Sequence, residues 1–158
     1  MDQDDRMDQV VFRIAGRADL PAILAMLADD QLGAHRETVG EDVDAAYWRA
    51  FEAIDADPRN LLVVADRSGE VVGTLQLTFI PGLSRHGGER AQIEAVRVRA
   101  DQRGAGLGRA LIRWAVRQAR ERGCRLVQLT TDKRRSRAHA FYGSLGFTAS
   151  HEGMKLDL

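Results

Sequence analysis

The sequence predicts a mixed α/β fold: one sheet, built largely from strands that follow one another in the chain, with a few helices packed on it. Three observations point there. Apolar residues recur at helical spacing in some segments and at every second position in others. Three strand-like runs between residues 61 and 99 are separated only by short turns. One of them feeds through a glycine-rich segment into a strongly amphipathic stretch, which implies a crossover in the later half.

The elements follow in order. Residues 1–9 are acidic and polar and read as a disordered tail, and residues 10–158 as a single domain. Val10 to Ile14 forms a first strand, and Asp19 is placed to cap a helix carrying Leu20, Ile23, Leu24 and Leu27. A second helix holds Val43, Ala46, Tyr47, Ala50, Phe51 and Ile54, and Pro58 stops it. Leu61 to Ala65 and Val71 to Ile80 make a hairpin through Ser68-Gly69. Pro81 to Gly88 is a loop, and Ala91 to Arg99 the next strand. The amphipathic helix runs to about Arg122 on Leu107, Ala110, Leu111, Trp114, Ala115 and Ala119, and Gly123 ends it. Leu126 to Thr131 is a strand, and Cys124, expected to begin it as an interior strand, is expected to be buried and inert. A short helix then groups Ala138, Phe141, Tyr142 and Leu145 and is closed by Gly146, and residues 147–158 are expected to close with a hairpin.

Composition narrows the function. With 44% hydrophobic and 29% charged residues, the 158-residue chain is neither disordered nor fibrous. One cysteine excludes an intrachain disulfide and a cysteine zinc cluster, and His86, His139 and His151 lack ligand spacing, so no metal is expected. No secretory leader and no apolar run of about 20 residues is visible, which suggests a cytoplasmic protein with no membrane partner. Net charge is zero, yet residues 1–60 hold 14 acidic and 6 basic side chains, whereas residues 97–137 hold 13 basic and 3 acidic. The later segment suits an anion and the earlier one a cation. Zero net charge and the lack of interleaved aromatics disfavour nucleic acid.

The most informative segment is the strand ending Val96-Arg97-Val98 and the turn Arg103-Gly104-Ala105-Gly106-Leu107-Gly108-Arg109. Glycines let a ligand approach the backbone, and the first turn of a helix presents N–H groups with partial positive charge. Arg103 and Arg109 flank that helix start, where a cation is unfavourable by about 0.3–1 kcal/mol unless an anion is present. A phosphate cradle is one reading; a tight turn with solvated arginines is the other. The segment matches neither the dinucleotide nor the P-loop fingerprint.

The same residues fit the R/Q-x-x-G-x-G/A signature of the GNAT superfamily of N-acetyltransferases. Val96-Arg97-Val98 looks like the end of that family's fourth strand, and Ala138 to Phe147 looks like its A-x-x-x-Y-x-x-x-G-F segment. The resemblance runs from Val10 to the end. It implies a mostly antiparallel, twisted sheet of six to seven strands flanked by about four helices. It also implies acetyl-CoA as acetyl donor, a cytoplasmic enzyme, and allows a homodimer. The cofactor-binding residues implied are Val96, Arg97, Val98, Arg103, Gly104, Ala105, Gly106, Leu107, Gly108 and Arg109. Arg135 stands where many members carry an asparagine that contacts the cofactor; with the rest of the run Lys133–Arg137 it meets the 3′-phosphate region or forms a solvated turn.

Acetyl transfer to an amine requires a neutral nitrogen, and an amine with pKa near 10.4 is neutral only about once in a few thousand at pH 7. A base is therefore valuable, and Glu94 is the candidate: regular alternation places it on one strand face with Val96 and Val98. A surface glutamate paired with an arginine is the alternative. Tyr142 resembles the family's tyrosine that protonates the departing thiolate. Backbone N–H groups near Val96–Val98 are expected to hold the oxyanion. In the family the first two helices and the loop before the fourth strand shape the acceptor pocket. Here they carry Asp29, Asp30, His35, Glu37, Glu41, Asp42, Tyr47 and Trp48, which favours a cationic amine unless the acids are simply solvated, and a small-molecule primary amine is the expected acceptor. The alternatives are a protein lysine or N-terminal acetyltransferase and a non-catalytic acyl-CoA-binding sensor.

Overall fold

The computed structural model describes residues 9–29 and 42–158. Asp30, His35, Glu37 and Glu41 lie outside the described residues, as does most of the expected N-terminal tail. The strands are β1 (Val10–Ile14), β2 (Asn60–Arg67), β3 (Glu70–Ile80), β4 (Arg90–Val98) and β5 (Leu126–Leu129); the longer helices are α1 (Leu20–Ala28), α2 (Ala45–Ala56), α3 (Leu107–Glu121) and α4 (Ser136–Gly143), with short helical turns at Arg17–Asp19, Ser84–Gly87 and Ala100–Gln102. The chain forms two compact units, the first ending at Gln128 and the second spanning Leu129–Leu158.

In the first unit the sheet order is β1-β2-β3-β4-β5, and the first four strands are antiparallel to their neighbours. Alternation sorts the side chains onto two faces. Phe12, Ala65, Gly73, Leu75 and Leu77 share one face through the pairings Phe12↔Ala65 and Ala65↔Gly73. That face receives α3: the Phe12 and Trp114 rings lie 6.3 Å apart. A Cβ on Gly73 would stand 3.0 Å from Leu111 Cδ1, so the absent side chain lets α3 come close. Leu107, Leu111, Ile112, Ala115 and Ala119 are buried here; Ala110 and Trp114 of the predicted stripe are half-buried, and Ile112 joins it. The other face packs Val64 with Leu20, Ile23, Leu24 and Phe51 of α1 and α2, with Leu62, Tyr47 and Trp48 partly buried around them.

Four expectations are corrected. Among the described residues the sheet has five strands, not six to seven: residues 147–158 form no ladder, and Met154, Leu156 and Leu158 are 87% or more exposed. Their alternation is a strand signal, but a strand persists only when a neighbour pairs with it. Asp19 stands at the start of α1 without capping it by its side chain. Its carboxylate instead accepts the Gly16 N–H at 2.7 Å and binds the Arg13 guanidinium at 2.7 and 2.9 Å, because a cation one strand away outbids a helix amide. Cys124 is half-buried and precedes β5, the edge strand of the order, not an interior one. Burial pushes its thiol pKa up, which disfavours the thiolate. The fourth correction concerns β4 and is described with the site.

In the second unit, Asp132 accepts the Arg134 N–H and its guanidinium, each at 2.9 Å, and the first turn of α4 follows. Gly146 takes a φ of 91° just past α4, and the Phe147 N–H donates to Tyr142 O at 3.1 Å, so the chain reverses where the sequence predicted a stop.

Candidate active site

The site is built on the end of β4 and the start of α3. Thr74 pairs with Arg97 and Gln76 with Glu94, so Ala95 and Val96 together oppose Leu75 alone. That is a β-bulge, and Ala95 sits in the left-handed region at φ 52°. The extra residue shifts the phase of the strand. Glu94 and Arg97 share the α1/α2 face with Gln76 and Thr74, while Val98 pairs with Gly73 on the α3 face. Glu94 and Val98 therefore lie on opposite faces, contrary to the regular alternation expected. The bulge also takes the Ala95–Val96 backbone out of the β3 ladder, and Val96 O accepts from Arg97 Nη1 at 2.8 Å.

Glu94 is exposed, and its ladder partner on β3 is Gln76, not an arginine. A polar row surrounds it on the same face. Asn60 Oδ1 accepts from Thr78 Oγ1 at 2.8 Å and from Gln76 Nε2 at 3.2 Å, and Gln128 Nε2 donates to Gln92 Oε1 at 2.5 Å. These side chains are half-buried or exposed.

After β4 the chain is held by a dense set of polar contacts. Arg99 bridges Asp101 at 2.7 Å and Glu70 at 3.1 Å, and the hydrogen bonds from Arg99 and then Gln102 draw the Asp101 carboxyl down to about 2. Arg67 donates to Gln102. Arg103 Nε donates to Val98 O at 3.1 Å and its Nη2 pairs with Asp29 at 2.9 Å, so one side chain ties the turn to β4 and to the end of α1. Asp29, expected at the acceptor, is engaged by this contact. Gly104 and Gly106 have φ of 81° and 84°. A Cβ built on either meets nothing within 4 Å, so backbone conformation and open space, not packing, call for glycine. α3 begins its ladder with Ala110 N–H donating to Gly106 O at 3.0 Å, leaving the leading amides aimed out of its N-terminus. This suits an anion such as a pyrophosphate.

The structure thus brings Glu94, Val96, Arg97, Val98, Arg103, Gly104, Ala105, Gly106, Leu107, Gly108 and Arg109 into one continuous strand–turn–helix passage of the first unit. Arg135 and Tyr142 belong to the second unit. Arg135 directly precedes α4, and the Tyr142 ring lies edge-on to Phe141 at 5.1 Å and to Phe147 at 5.9 Å. Tyr47 and Trp48 lean on the core, and the Arg17 guanidinium stacks 4.0 Å over the Trp48 ring. Sequence reasoning missed the bulge and Gln76. The bulge left a trace: the apolar alternation Ala91, Ile93 changes phase to Val96, Val98.

The family model for the acetyltransferase (GNAT) family matches residues 24–147. The glucosamine 6-phosphate N-acetyltransferase of Trypanosoma brucei brucei is 32% identical over 142 residues, covering 85% of this chain and 95% of that protein. The aminoalkylphosphonate N-acetyltransferase of Salmonella typhimurium is 30% identical over 150 residues, covering 94% and 92%. The crystal structure of a transcriptional regulator from Bacillus halodurans C-125 has a TM-score of 0.92 at 48% identity, covering 94% of this chain and 99% of that one. The chain belongs to the GNAT acetyltransferase family and is an acyltransferase of the EC 2.3.1 type. Among the described residues no helix is long and apolar enough to cross a membrane.

Proposed function

We propose that the chain transfers the acetyl group of acetyl-CoA to the primary amine of a small molecule by direct attack, with Glu94 as general base and Tyr142 as general acid. The observation that carries this reading is the passage from Glu94 to Leu107. An exposed carboxylate, a bulge that frees backbone at Ala95–Val96, and two left-handed glycines opening onto the α3 N-terminus follow one another within 14 residues.

Each element has a task. The Gly104–Gly108 amides and the first turn of α3 hold the donor's pyrophosphate, and Arg109 adds charge. Arg103 fixes the turn through Val98 O and Asp29. Val96–Val98 receive the pantetheine arm, as the family resemblance implies, and an amide released by the bulge donates to the developing oxyanion. Arg135 meets the 3′-phosphate. Glu94 accepts a proton as the amine nitrogen bonds to the thioester carbonyl carbon. The C–S bond then breaks, and Tyr142 gives its proton to the thiolate. Acid–base assistance of this kind contributes about 10²–10⁴-fold. The relatives named for glucosamine 6-phosphate and aminoalkylphosphonate support a small amine as acceptor.

The test is thiol release from acetyl-CoA across a panel: glucosamine 6-phosphate, 2-aminoethylphosphonate, a polyamine, free amino acids and a lysine peptide. Turnover with a free amine, reduced about 10²-fold or more in Tyr142→Phe at unchanged KM for acetyl-CoA, is the expected result. Turnover with the peptide alone contradicts the small-molecule reading, and binding without turnover contradicts catalysis.

A further inference from the structure

The polar row beside Glu94 has a direction. Asp57 offers only acceptor oxygens, so the amide nitrogen of Asn60, 3.0 Å from Asp57 Oδ2, is fixed as its donor end. Asn60 Oδ1 therefore faces β3, where it accepts from Thr78 Oγ1 and Gln76 Nε2. Gln76 in turn donates one amide N–H to β2, which turns its nitrogen toward Asn60 and leaves its carbonyl oxygen as the other limb of the amide. Gln76 is the ladder partner of Glu94, and directly opposed side chains on one face start about 4.5–5.5 Å apart at Cβ. The Gln76 carbonyl oxygen and the Glu94 carboxylate, both acceptors, are thus brought to neighbouring ladder positions on the α1/α2 face.

We propose that Gln76 is a second amine-binding residue and that it makes the site selective for unsubstituted primary amines, with Asn60 and Asp57 as the positioning residues behind it. The inference rests on the reading of Glu94 as the base. An attacking primary amine directs its lone pair at the thioester carbon and carries two N–H bonds on its other side. Glu94 takes one proton, and Gln76 Oε1 accepts the second N–H. An N-methyl group on the acceptor puts a carbon where that hydrogen bond forms and leaves the carbonyl unpaired, which a desolvated polar group does not tolerate.

The experiment compares 2-aminoethylphosphonate and glucosamine 6-phosphate, or the best amine from the panel, with their N-methyl counterparts. Wild type is expected to favour the primary amine at least tenfold in kcat/KM. Gln76→Met, similar in length but lacking the oxygen, is expected to raise KM for the primary amine about tenfold. Its kcat stays within about threefold, its KM for acetyl-CoA is unchanged, and the N-methyl discrimination is largely lost. Asn60→Asp combined with Asp57→Asn, which swaps donor and acceptor across that contact and still accepts from Gln76, retains the primary-amine KM, whereas Asn60→Leu loses it; a merely structural role does not separate that pair. Unchanged amine KM and unchanged discrimination in Gln76→Met, with Glu94→Gln still impaired in kcat, overturns this inference and leaves the proposed function standing. Full activity in Glu94→Gln, or no amine acetylated by wild type, overturns both.

Discussion

Arg103 and Asp29 form an ion pair at 2.9 Å between the glycine turn and the end of α1, while the same guanidinium holds Val98 O at 3.1 Å. Both side chains are more than half exposed, so the pair contributes at most about 1 kcal/mol to stability. Its value is in fixing the turn. Arg103→Ala is expected to change the unfolding free energy by no more than that, yet to raise KM for acetyl-CoA several-fold. Steady-state kinetics alongside urea denaturation check the split, and an equal loss in both contradicts it.

Gly106 tests the cradle from the other side. At φ 84° an alanine there is strained by about 1–2 kcal/mol, although its methyl group meets no protein atom. Gly106→Ala should therefore fold with a lowered midpoint of that size and bind acetyl-CoA more weakly than the lost stability explains, since the methyl stands beside the amides that face the pyrophosphate. Unimpaired acetyl-CoA binding in the folded variant removes this turn as the cradle.

The bulge makes a separate claim. Ala95 occupies a left-handed conformation that glycine adopts freely and a β-branched residue resists. Ala95→Gly is expected to retain stability within about 1 kcal/mol, whereas Ala95→Val costs about 1–3 kcal/mol and lowers kcat by disturbing the backbone beside Glu94. Thermal unfolding and turnover of the two variants decide it. Equal behaviour of valine and glycine would mean that the strand runs regularly through this point.

Acid sensitivity follows from Asp19. Hydrogen bonds from Arg13 hold its carboxyl below the usual range, with burial opposing and the Gly16 N–H assisting. A carboxyl depressed in the folded state stabilises fully above its unfolded pKa near 3.9, and that contribution disappears as pH falls through the folded value. Asp19→Asn should cost about 1–2 kcal/mol at pH 7 and progressively less below pH 4, where the wild type loses the same contribution. A pH-independent difference between the two proteins contradicts the assignment.

Much of the fold was legible because its signals are local. Helical spacing in Leu107–Ala119, the Ser68-Gly69 turn and the stop at Gly123 each act within a few residues, and each stands where expected. The glycine turn was legible for the same reason. What escaped depends on partners distant in sequence. The bulge is defined by β3, the role of Asp19 by Arg13 and Asp66, and the polar row by Asp57 and Asn60 on one side of Gln76 and Glu94 on the other. Residues 147–158 show the opposite error, a local alternation that no neighbouring strand completes.

Titration calorimetry of the purified protein with acetyl-CoA at two temperatures addresses the central claim most directly, because binding at the Val98–Leu107 passage underlies every assigned role. The account expects saturable one-to-one heat that is weakened in Gly106→Ala. Absence of heat at both temperatures contradicts it.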